Sequence, residues 1–189
     1  MRSDPEAFEA RYREAPDHDP WRFATSRYEQ RRYEVTVATL PERRFIRAFE
    51  PGCATGELTA RLAARCDTVV ALDPSATALR VAAERTAGML NVDLRRGTLP
   101  EDWPEGSFDL LVLSEIGYYF DPPTLRALLQ RTLTAATSGA CLLGVHWTGH
   151  SPDHVLHGDT VQQLIGEAAG PPSLTADRPG FRCARWDLP

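Results

Sequence analysis

Short apolar segments alternate with helix-like segments between residues 44 and 147, and this alternation constrains the fold more than any other feature. The strand-like segments are at residues 44–50, 68–73, 91–97, 107–114 and 140–147. The helix-like segments between them are at residues 56–66, 75–88 and 121–139. Such alternation predicts a parallel sheet with right-handed crossovers and helices on both faces. Ligands bind these sheets beyond the carboxyl ends of the strands, near the point where the strand order reverses.

The chain before this region is polar but patterned. Ser26 followed by Glu29 is a capping box, which predicts a helix that a proline ends near Leu40. Residues 1–20 carry three prolines and predict a mobile start or a short helix over 5–14.

The chain after this region adds one helix and two short strands. These segments are at residues 159–170, 173–177 and 181–188. The two strand-like segments flank an Arg-Pro-Gly turn, which predicts a closing hairpin. Without an internal repeat or a shift in composition, we expect one domain over 1–189. Within it we expect a helical cap over the binding site at 1–40 and an α/β core at 41–189.

The composition argues against several classes of function. With 189 residues, 42% of them hydrophobic and 25% charged, the chain is typical of one globular domain. The net charge of -5 argues against a general nucleic-acid or anionic-membrane binder. The charged N-terminus has no apolar signal region, and no apolar run has the length of a membrane span. The four cysteines lack disulfide or zinc spacing, which is typical of a reducing cytoplasm. Together with the charge and the missing apolar run, this predicts a cytoplasmic protein without nucleic-acid or membrane partners.

A loop with two glycines, in the stretch FEPGCATGEL, follows the first predicted strand. Gly52 allows a tight turn, and Gly56 allows a close approach at the start of the next helix. Backbone N–H groups at a helix start can face a polar ligand. Asp73 follows Gly52 by 21 residues, at the end of the second strand, where a carboxylate can accept both ribose hydroxyls of a nucleoside. Loop and acid together are more specific than the glycines alone, and they predict a nucleoside ligand.

Two classes of cofactor share this layout. Dinucleotide-binding loops need a middle glycine to make room for pyrophosphate, and Ala54 occupies that place here. Glu50 precedes the loop, where its carboxylate would repel pyrophosphate but would suit a cationic sulfonium or ammonium group. The pattern therefore favours S-adenosylmethionine over a nicotinamide dinucleotide.

At these residues the chain resembles the class I S-adenosylmethionine-dependent methyltransferases. More narrowly, it is similar to the nodulation-type (NodS-like) N-methyltransferases, which methylate an amine of a deacetylated chito-oligosaccharide. The stretches that carry this likeness are DPW, SRYEQRRY, FEPGCATGELTARLAARCD, LSEIGYYF and VHW. The resemblance implies a Rossmann-like three-layer αβα sandwich with a seven-stranded, mostly parallel sheet and a C-terminal antiparallel hairpin. It also implies S-adenosylmethionine as cofactor, S-adenosylhomocysteine as product and a small-molecule acceptor.

The expected cofactor site departs from the family pattern at two positions. Ala54 replaces a motif glycine, and Thr98 stands where class I members often carry Asp to bind the adenine amino group. Arg32 is a candidate partner of the methionyl carboxylate, the alternative being a solvated surface arginine. Trp21 is a candidate lid residue or a simple hydrophobic anchor. The cofactor-binding residues that we expect are Tyr28, Arg32, Glu50, Gly52, Cys53, Ala54, Gly56, Asp73, Pro74, Thr98, Leu99 and Ser114.

The groups that handle the acceptor are expected after the fourth and fifth strands. Glu115 is a candidate to hold a substrate ammonium and accept its proton, with a capping or surface role as the alternative. Tyr118 and Tyr119 are candidates for an aromatic cage around a cationic nitrogen, or for simple packing. His146 is a candidate general base, or a hydrogen-bonded structural histidine.

Several questions stay open at this stage. The histidines at 146, 150, 154 and 157 have ligand-like spacing, but Gly149 and Pro152 would break a helix between them, so we expect no metal site. The segment is better explained as a substrate loop with titratable groups.

The leading hypothesis is N-methylation of a small amine, such as an amino sugar or a natural-product intermediate. O-methylation and cofactor binding without turnover remain alternatives, and the oligomeric state is not readable.

Overall fold

The computed structural model describes residues 4–189, which form one seven-stranded sheet with helices on both faces. The strands are β1 (Phe45–Pro51), β2 (Cys66–Asp73), β3 (Val92–Arg96), β4 (Phe108–Ser114), β5 (Ala136–Trp147), β6 (Leu174–Thr175) and β7 (Phe181–Asp187). Their order in the sheet is β3-β2-β1-β4-β5-β7-β6. β1 to β5 pair in parallel, whereas β7 is antiparallel to both β5 and β6. The predicted fold class, including the C-terminal antiparallel hairpin, is confirmed.

Within residues 4–189, six α-helices cover the two faces of this sheet. They are α1 (Pro5–Glu14), α2 (Arg27–Thr39), α3 (Glu57–Ala63), α4 (Ala76–Arg85), α5 (Pro122–Ala135) and α6 (Gly158–Ala169). Ser26 caps α2 as the capping box predicts, its side chain accepting a hydrogen bond from the Glu29 amide. Within residues 4–189, no helix is both long enough and apolar enough to cross a membrane.

The two faces of the sheet bury two separate cores. On β4, Leu110 and Val112 belong to the core that α2 and α3 cover, whereas Leu111 and Leu113 belong to the core under α5 and α6. Successive side chains of a strand point to opposite faces, so a strand that is covered on both faces must be apolar throughout. This explains the unbroken apolar run of β4.

The boundary between α5 and β5 differs from the prediction. The sequence predicts a helix to residue 139, but α5 ends at Ala135 and β5 already begins at Ala136. Ala136 has extended backbone and pairs with Phe108 of β4. Pairing with the sheet therefore overrides the helical preference of the alanines, and Gly139 lies inside the strand with a φ of 73°.

The sheet order places the ligand-binding crevice. The strand order reverses between β1 and β4, which are neighbours in the sheet. The loop after β1 (51–56) and the segment after β4 (115–121) therefore flank the crevice that such a reversal creates.

Candidate active site

A cavity of about 630 Å³ opens at the carboxyl ends of β1, β2 and β4. This volume lies within the range of small-molecule sites, about 300–1,000 Å³. Aromatic side chains form much of the wall, and they are Phe8, Tyr12, Trp21, Phe23, Tyr28, Tyr118, Tyr119, Phe120 and Trp147. The acidic residues of the wall are Glu29, Asp73, Glu101, Glu115 and Asp153. Among residues 4–189, no arginine lines this wall, and His154 is the one titratable base that does.

The loop after β1 is shaped by three residues with positive φ. Gly52, Ala54 and Gly56 have φ angles of 73°, 50° and 78°. A Cβ on Gly52 would collide with the Ile116 side chain, so this position requires glycine. A Cβ on Gly56 would lie 3.0 Å from that of Ala82, so this glycine lets the loop approach α4. Ala54 adopts the left-handed conformation that a motif glycine would take more easily.

The backbone amides of this loop are bonded within the protein. The amides of Gly52 and Cys53 both donate to the Leu72 carbonyl, at 2.7 and 3.0 Å. The Ala54 amide donates to Oδ2 of Asp73 at 2.9 Å. Contrary to the prediction, Cys53, Ala54 and Gly56 therefore do not line the cavity but support the wall from behind.

Asp73 lies at the end of β2 and lines the cavity. Its Oδ1 accepts the Ser75 amide at 2.9 Å, and its Oδ2 accepts the Ala54 amide at the same distance. These two bonds fix the carboxylate and leave one face toward the cavity. Burial raises the pKa of this carboxyl to about 6, and the two amide bonds oppose the rise. The position and the fixed orientation suit a partner for two hydroxyl groups.

Glu50 does not reach the cavity. It is buried below the loop, and its Oε2 accepts a hydrogen bond of 2.6 Å from the Thr59 hydroxyl. Burial raises the pKa of Glu50 to about 8, so at neutral pH the side chain is largely uncharged. This corrects the prediction that Glu50 presents a negative charge to the ligand, since its role is to join β1 to α3.

The other predicted cofactor residues differ in position. Pro74, Thr98 and Leu99 line the cavity, and the Thr98 amide donates to Oδ2 of Asp102 at 2.8 Å. Asp102, which the sequence analysis did not single out, thereby shapes the loop that follows β3. Ser114 ends β4 but lies outside the wall, contrary to the prediction.

Arg32 is buried beside two acidic side chains. Its side chain is only 1% exposed, and its Nε donates to Glu29 at 3.1 Å. Its Nη1 lies 3.1 Å from Oε1 of Glu115. The two carboxylates raise the pKa of the guanidinium despite its burial. Arg32 lies outside the described wall and pairs with Glu29 and Glu115, so its direct pairing with a ligand carboxylate stays a prediction.

Tyr28, four residues earlier on α2, does line the cavity. Its hydroxyl donates to the Gly180 carbonyl at 3.0 Å, and its ring contacts Phe181 edge to face. This contact joins α2 to the turn before β7. Tyr28 therefore offers a ring to the cavity, while its hydroxyl is already used.

Glu115 is an acidic side chain of the wall with several partners. Its Oε2 accepts the Tyr118 hydroxyl at 2.8 Å, and its Oε1 accepts the Trp147 amide at 2.7 Å. These two hydrogen bonds and the ion pair with the Arg32 guanidinium fix this carboxylate at the edge of the cavity. Glu115 also has a φ of 59°, a conformation that few non-glycine residues adopt. Such strained residues are found disproportionately at functional sites.

The residues after Glu115 surround one histidine. Tyr118 stacks on His154, with ring centroids 3.8 Å apart and planes at 16°. Tyr119 contacts the same imidazole edge to face at 5.2 Å. Burial raises the pKa of both phenols, so they stay neutral. Tyr118 and Tyr119, the predicted aromatic pair, therefore lie in the wall together with His154.

His146 cannot be the general base. Its side chain is completely buried and lies outside the wall. Its Nε2 accepts the Gly117 amide at 3.3 Å, and its Nδ1 lies 3.1 Å from the side-chain amide of Gln162. Burial and the nearby charge of Arg32 lower the pKa of this imidazole to about 3. Both nitrogens are occupied, so His146 is the hydrogen-bonded structural histidine of the alternative.

Helix α1 closes one side of the cavity with Phe8 and Tyr12. Glu9, on the same helix, accepts hydrogen bonds from the hydroxyls of Ser75 and Thr77 at 2.7 and 2.6 Å. It also accepts the Thr77 amide at 3.1 Å and so caps the start of α4. These bonds lower the pKa of Glu9 to about 2, the Thr77 hydroxyl contributing most. The sequence predicts a helix here but not this contact, because Glu9 and Thr77 are far apart in the chain.

We expect Glu9→Gln to loosen α1. Because the folded pKa is below the usual 4.5, the contact should be complete above pH 4.5 and lost as pH falls toward about 2. At pH 7, amide hydrogen exchange over 5–14 should be about fivefold faster in the variant, as expected for one lost net hydrogen bond. Glu6→Gln on the same helix is the matched control, and equal exchange in both variants would argue against the Glu9 contact.

The cavity fits an S-adenosylmethionine-type ligand in three respects. Asp73 presents a fixed carboxylate for ribose hydroxyls, and Leu99 offers an apolar surface beside it. The acidic wall suits a ligand that carries sulfonium and ammonium charges. No group of three metal-ligating side chains is present in the part of the chain that the structure describes.

Comparisons with known proteins agree with this geometry. A model of the Nodulation protein S (NodS) family matches residues 5–144. Nodulation protein S from Bradyrhizobium diazoefficiens is 35% identical over 171 residues, which cover 87% of this chain and 75% of that protein. Nodulation protein S from Sinorhizobium fredii is 26% identical over 161 residues, covering 82% and 74%.

Solved structures extend this likeness. A candidate methyltransferase from Pseudomonas syringae is 35% identical, with a TM-score of 0.75, over 85% of this chain and 98% of that chain. N-methyltransferase NodS from Bradyrhizobium japonicum WM9, in complex with S-adenosyl-L-homocysteine, has a TM-score of 0.81 at 22% identity. That match covers 97% of both chains. The chain therefore belongs to the nodulation protein S (NodS) family of S-adenosylmethionine-dependent methyltransferases.

Proposed function

We propose that this enzyme methylates the nitrogen of a small amine. The observation that carries the proposal is the charge of the cavity wall, in which the charged side chains from residues 4–189 are carboxylates. An acceptor that is protonated in water would be drawn to such a wall, whereas a neutral alcohol gains little from it. The aromatic rings of the wall add favourable contacts for a cationic nitrogen.

The cofactor would be held by residues at the ends of β2 and β3. Asp73 would accept the two ribose hydroxyls, while Pro74, Thr98 and Leu99 would contact the adenine. When bound, S-adenosylmethionine would supply an electrophilic methyl carbon for an amine lone pair, with S-adenosylhomocysteine as the leaving group. The carboxylates of the cavity wall suit the positive charges on the sulfonium and ammonium groups of S-adenosylmethionine.

Glu115 would hold the acceptor ammonium. Its carboxylate is fixed by Tyr118, Trp147 and Arg32, so it meets the amine without reorganising. A side chain fixed in this way can orient the nitrogen toward the cofactor, which is the main requirement of a direct displacement. Arg32 would thus act through Glu115 as a positioning residue.

The N-terminal segment would act as a cap. Phe8 and Tyr12 of α1 and Trp21 after it form one side of the wall, and Trp21 contacts Tyr12 edge to face at 5.4 Å. Arg11 pairs with Asp153 at 2.7 Å and so joins α1 to the loop after β5. A cap over 1–40 would exclude water from the methyl transfer. The cofactor and the acceptor would enter while the cap is open, and the methyl transfer would take place while it is closed.

Matched acceptors test the proposal. We expect methyl transfer from labelled S-adenosylmethionine to at least one of glucosamine, ethanolamine and benzylamine. Their hydroxyl counterparts (glucose, ethylene glycol and benzyl alcohol) should react at least about tenfold more slowly, since they cannot pair with a carboxylate as cations. Calorimetry with S-adenosylhomocysteine first establishes that the protein is loaded. Transfer to the alcohols instead would support O-methylation, and loading without any transfer would support a binding protein.

A further inference from the structure

The His154 imidazole differs from the other histidines of this region. Its side chain lines the cavity, and neither ring nitrogen has a hydrogen-bond partner among residues 4–189. By contrast, both nitrogens of His146 are bonded in the core. His157 is bonded to Thr148 and to Asp159 at the start of α6. An imidazole with two unused nitrogens in a binding cavity is available to a ligand.

Aromatic contacts fix the plane of this imidazole. Tyr118 stacks on one face, while Tyr119 and Trp147 meet the ring edge to face, with centroids 5.2 and 5.9 Å away. Tyr118 in turn donates its hydroxyl to Glu115. One short chain of contacts therefore sets the position of His154 relative to the carboxylate that would hold the acceptor.

Backbone hydrogen bonds hold the loop around His154. The amides of Val155 and Leu156 both donate to the Tyr118 carbonyl, at 2.8 and 3.1 Å. The ion pair between Asp153 and Arg11 links the neighbouring residue to α1. Because α1 forms part of the wall, the position of the imidazole depends on the same helix that closes the cavity.

The charges around His154 act in opposite directions. Asp153 and Glu115 favour the protonated imidazole, whereas Arg11 and His150 disfavour it, and the adjacent phenols of Tyr118 and Tyr119 are neutral. Burial is the largest effect, and the net result is a pKa below the usual 6.5. The imidazole is therefore neutral at pH 7 and able to accept a proton.

We propose that His154 is the general base that removes the proton from the acceptor ammonium held at Glu115. The N–H bond of the ammonium breaks, its electron pair stays on nitrogen as the lone pair, and a new N–H bond forms on the imidazole. The freed lone pair is then available for methylation, and the proton leaves from His154 to solvent. This inference rests on the proposed N-methylation.

The neighbouring groups are less suited to this step. The oxygens of Glu115 already accept two hydrogen bonds and pair with the Arg32 guanidinium, so this carboxylate serves better as an anchor. The Tyr118 hydroxyl donates to Glu115, and burial holds its pKa well above the usual value. His154 is left as the group that combines position with a free lone pair.

The test uses His154→Gln with His150→Gln as the matched control, because His150 is exposed on the same loop and lies outside the wall. With the fastest amine of the panel, His154→Gln should lower kcat by about 100-fold, the range of general-base catalysis. The affinity for S-adenosylhomocysteine should stay within about threefold of wild type. The wild-type profile of kcat should fall as pH drops below the histidine pKa, and the variant should lose this limb. His150→Gln should keep both the rate and the profile.

A second readout does not depend on turnover or on a variant. In wild-type protein loaded with S-adenosylhomocysteine, the NMR titration of His154 should shift to lower pH when that amine is added, because an ammonium beside it disfavours a second charge. The hydroxyl counterpart should leave it unchanged, and the titration of His157 should not respond to either compound. A rate and profile in His154→Gln equal to those of His150→Gln would overturn the proposal, as would an unresponsive His154 titration. If wild-type protein methylates alcohols but no amine, both this inference and the proposed function fail.

Discussion

Glu115→Gln should lower kcat/KM for the preferred amine by about 10- to 100-fold while leaving the affinity for S-adenosylhomocysteine nearly unchanged. Glutamine keeps the shape of the side chain but removes the charge that would hold an ammonium. Hydrogen bonds to charged groups contribute about 1.5–3 kcal/mol, which corresponds to this loss. Steady-state kinetics with the amine panel and calorimetry with S-adenosylhomocysteine measure the two quantities.

The change also affects the ion pair with Arg32, so folding must be followed separately. Glu29 remains beside the guanidinium in this variant, and the thermal unfolding midpoint shows whether that partner is sufficient. Glu34→Gln is the matched control, since Glu34 pairs with Arg31 on the exposed face of α2, the helix that carries Arg32. A folded Glu115→Gln protein with wild-type kinetics would exclude Glu115 from acceptor binding. Loss of cofactor affinity alone would reassign Glu115 to the cofactor.

The second large effect concerns Asp73 and pH. Since its pKa is raised to about 6 in the folded protein, the carboxyl takes up a proton as the pH falls through that value. The protonated form loses the charge that strengthens hydrogen bonds from ribose hydroxyls. With a pKa of 6, about one molecule in ten is ionised at pH 5, so we expect about tenfold weaker binding of S-adenosylhomocysteine at pH 5 than at pH 7.5.

Asp73→Ala isolates this effect. At pH 7.5 the variant should bind S-adenosylhomocysteine about 10- to 100-fold more weakly, the scale of lost hydrogen bonds to a charged group. Its residual affinity should hardly change between pH 7.5 and 5. Calorimetry at both pH values gives the comparison, with Asp93→Ala, a half-buried acidic residue of β3, as the control for removing a carboxylate. A tenfold pH effect that survives in Asp73→Ala would assign the titration to another group.

Much of the fold could be predicted because local pattern and tertiary environment agree. β4 is covered on both faces, and its side chains alternate between two cores, so burial leaves an unbroken apolar run in the sequence. Asp73 could be placed for a related reason, since a polar residue that ends an apolar strand stands at the edge of the sheet. The boundary after α5 could not be found this way, because Ala136 has no local preference that overrides pairing with Phe108.

The site was predicted less completely, because residue type does not reveal burial. Arg32 and His146 have the chemistry for a ligand and for a base, but both side chains are buried and lie outside the described wall of the cavity. His154 stood in a segment that was interpreted as a substrate loop, and only its stacking on Tyr118 shows that it belongs to the wall. A histidine between turn-forming residues carries no sequence signal that separates these outcomes.

The sequence by itself determined the strand and helix alternation, the turn at Gly52 and the acid at the end of β2, because each depends on residues close together in the chain. The tertiary structure decided which polar groups face the cavity. Glu9, Arg32 and Glu115 owe their places to partners that are distant in the chain. Burial and charge pairing act through space. The proposed roles of Glu115 as anchor, Arg32 as positioning residue and His154 as base therefore depend on how the sheet brings its loops together.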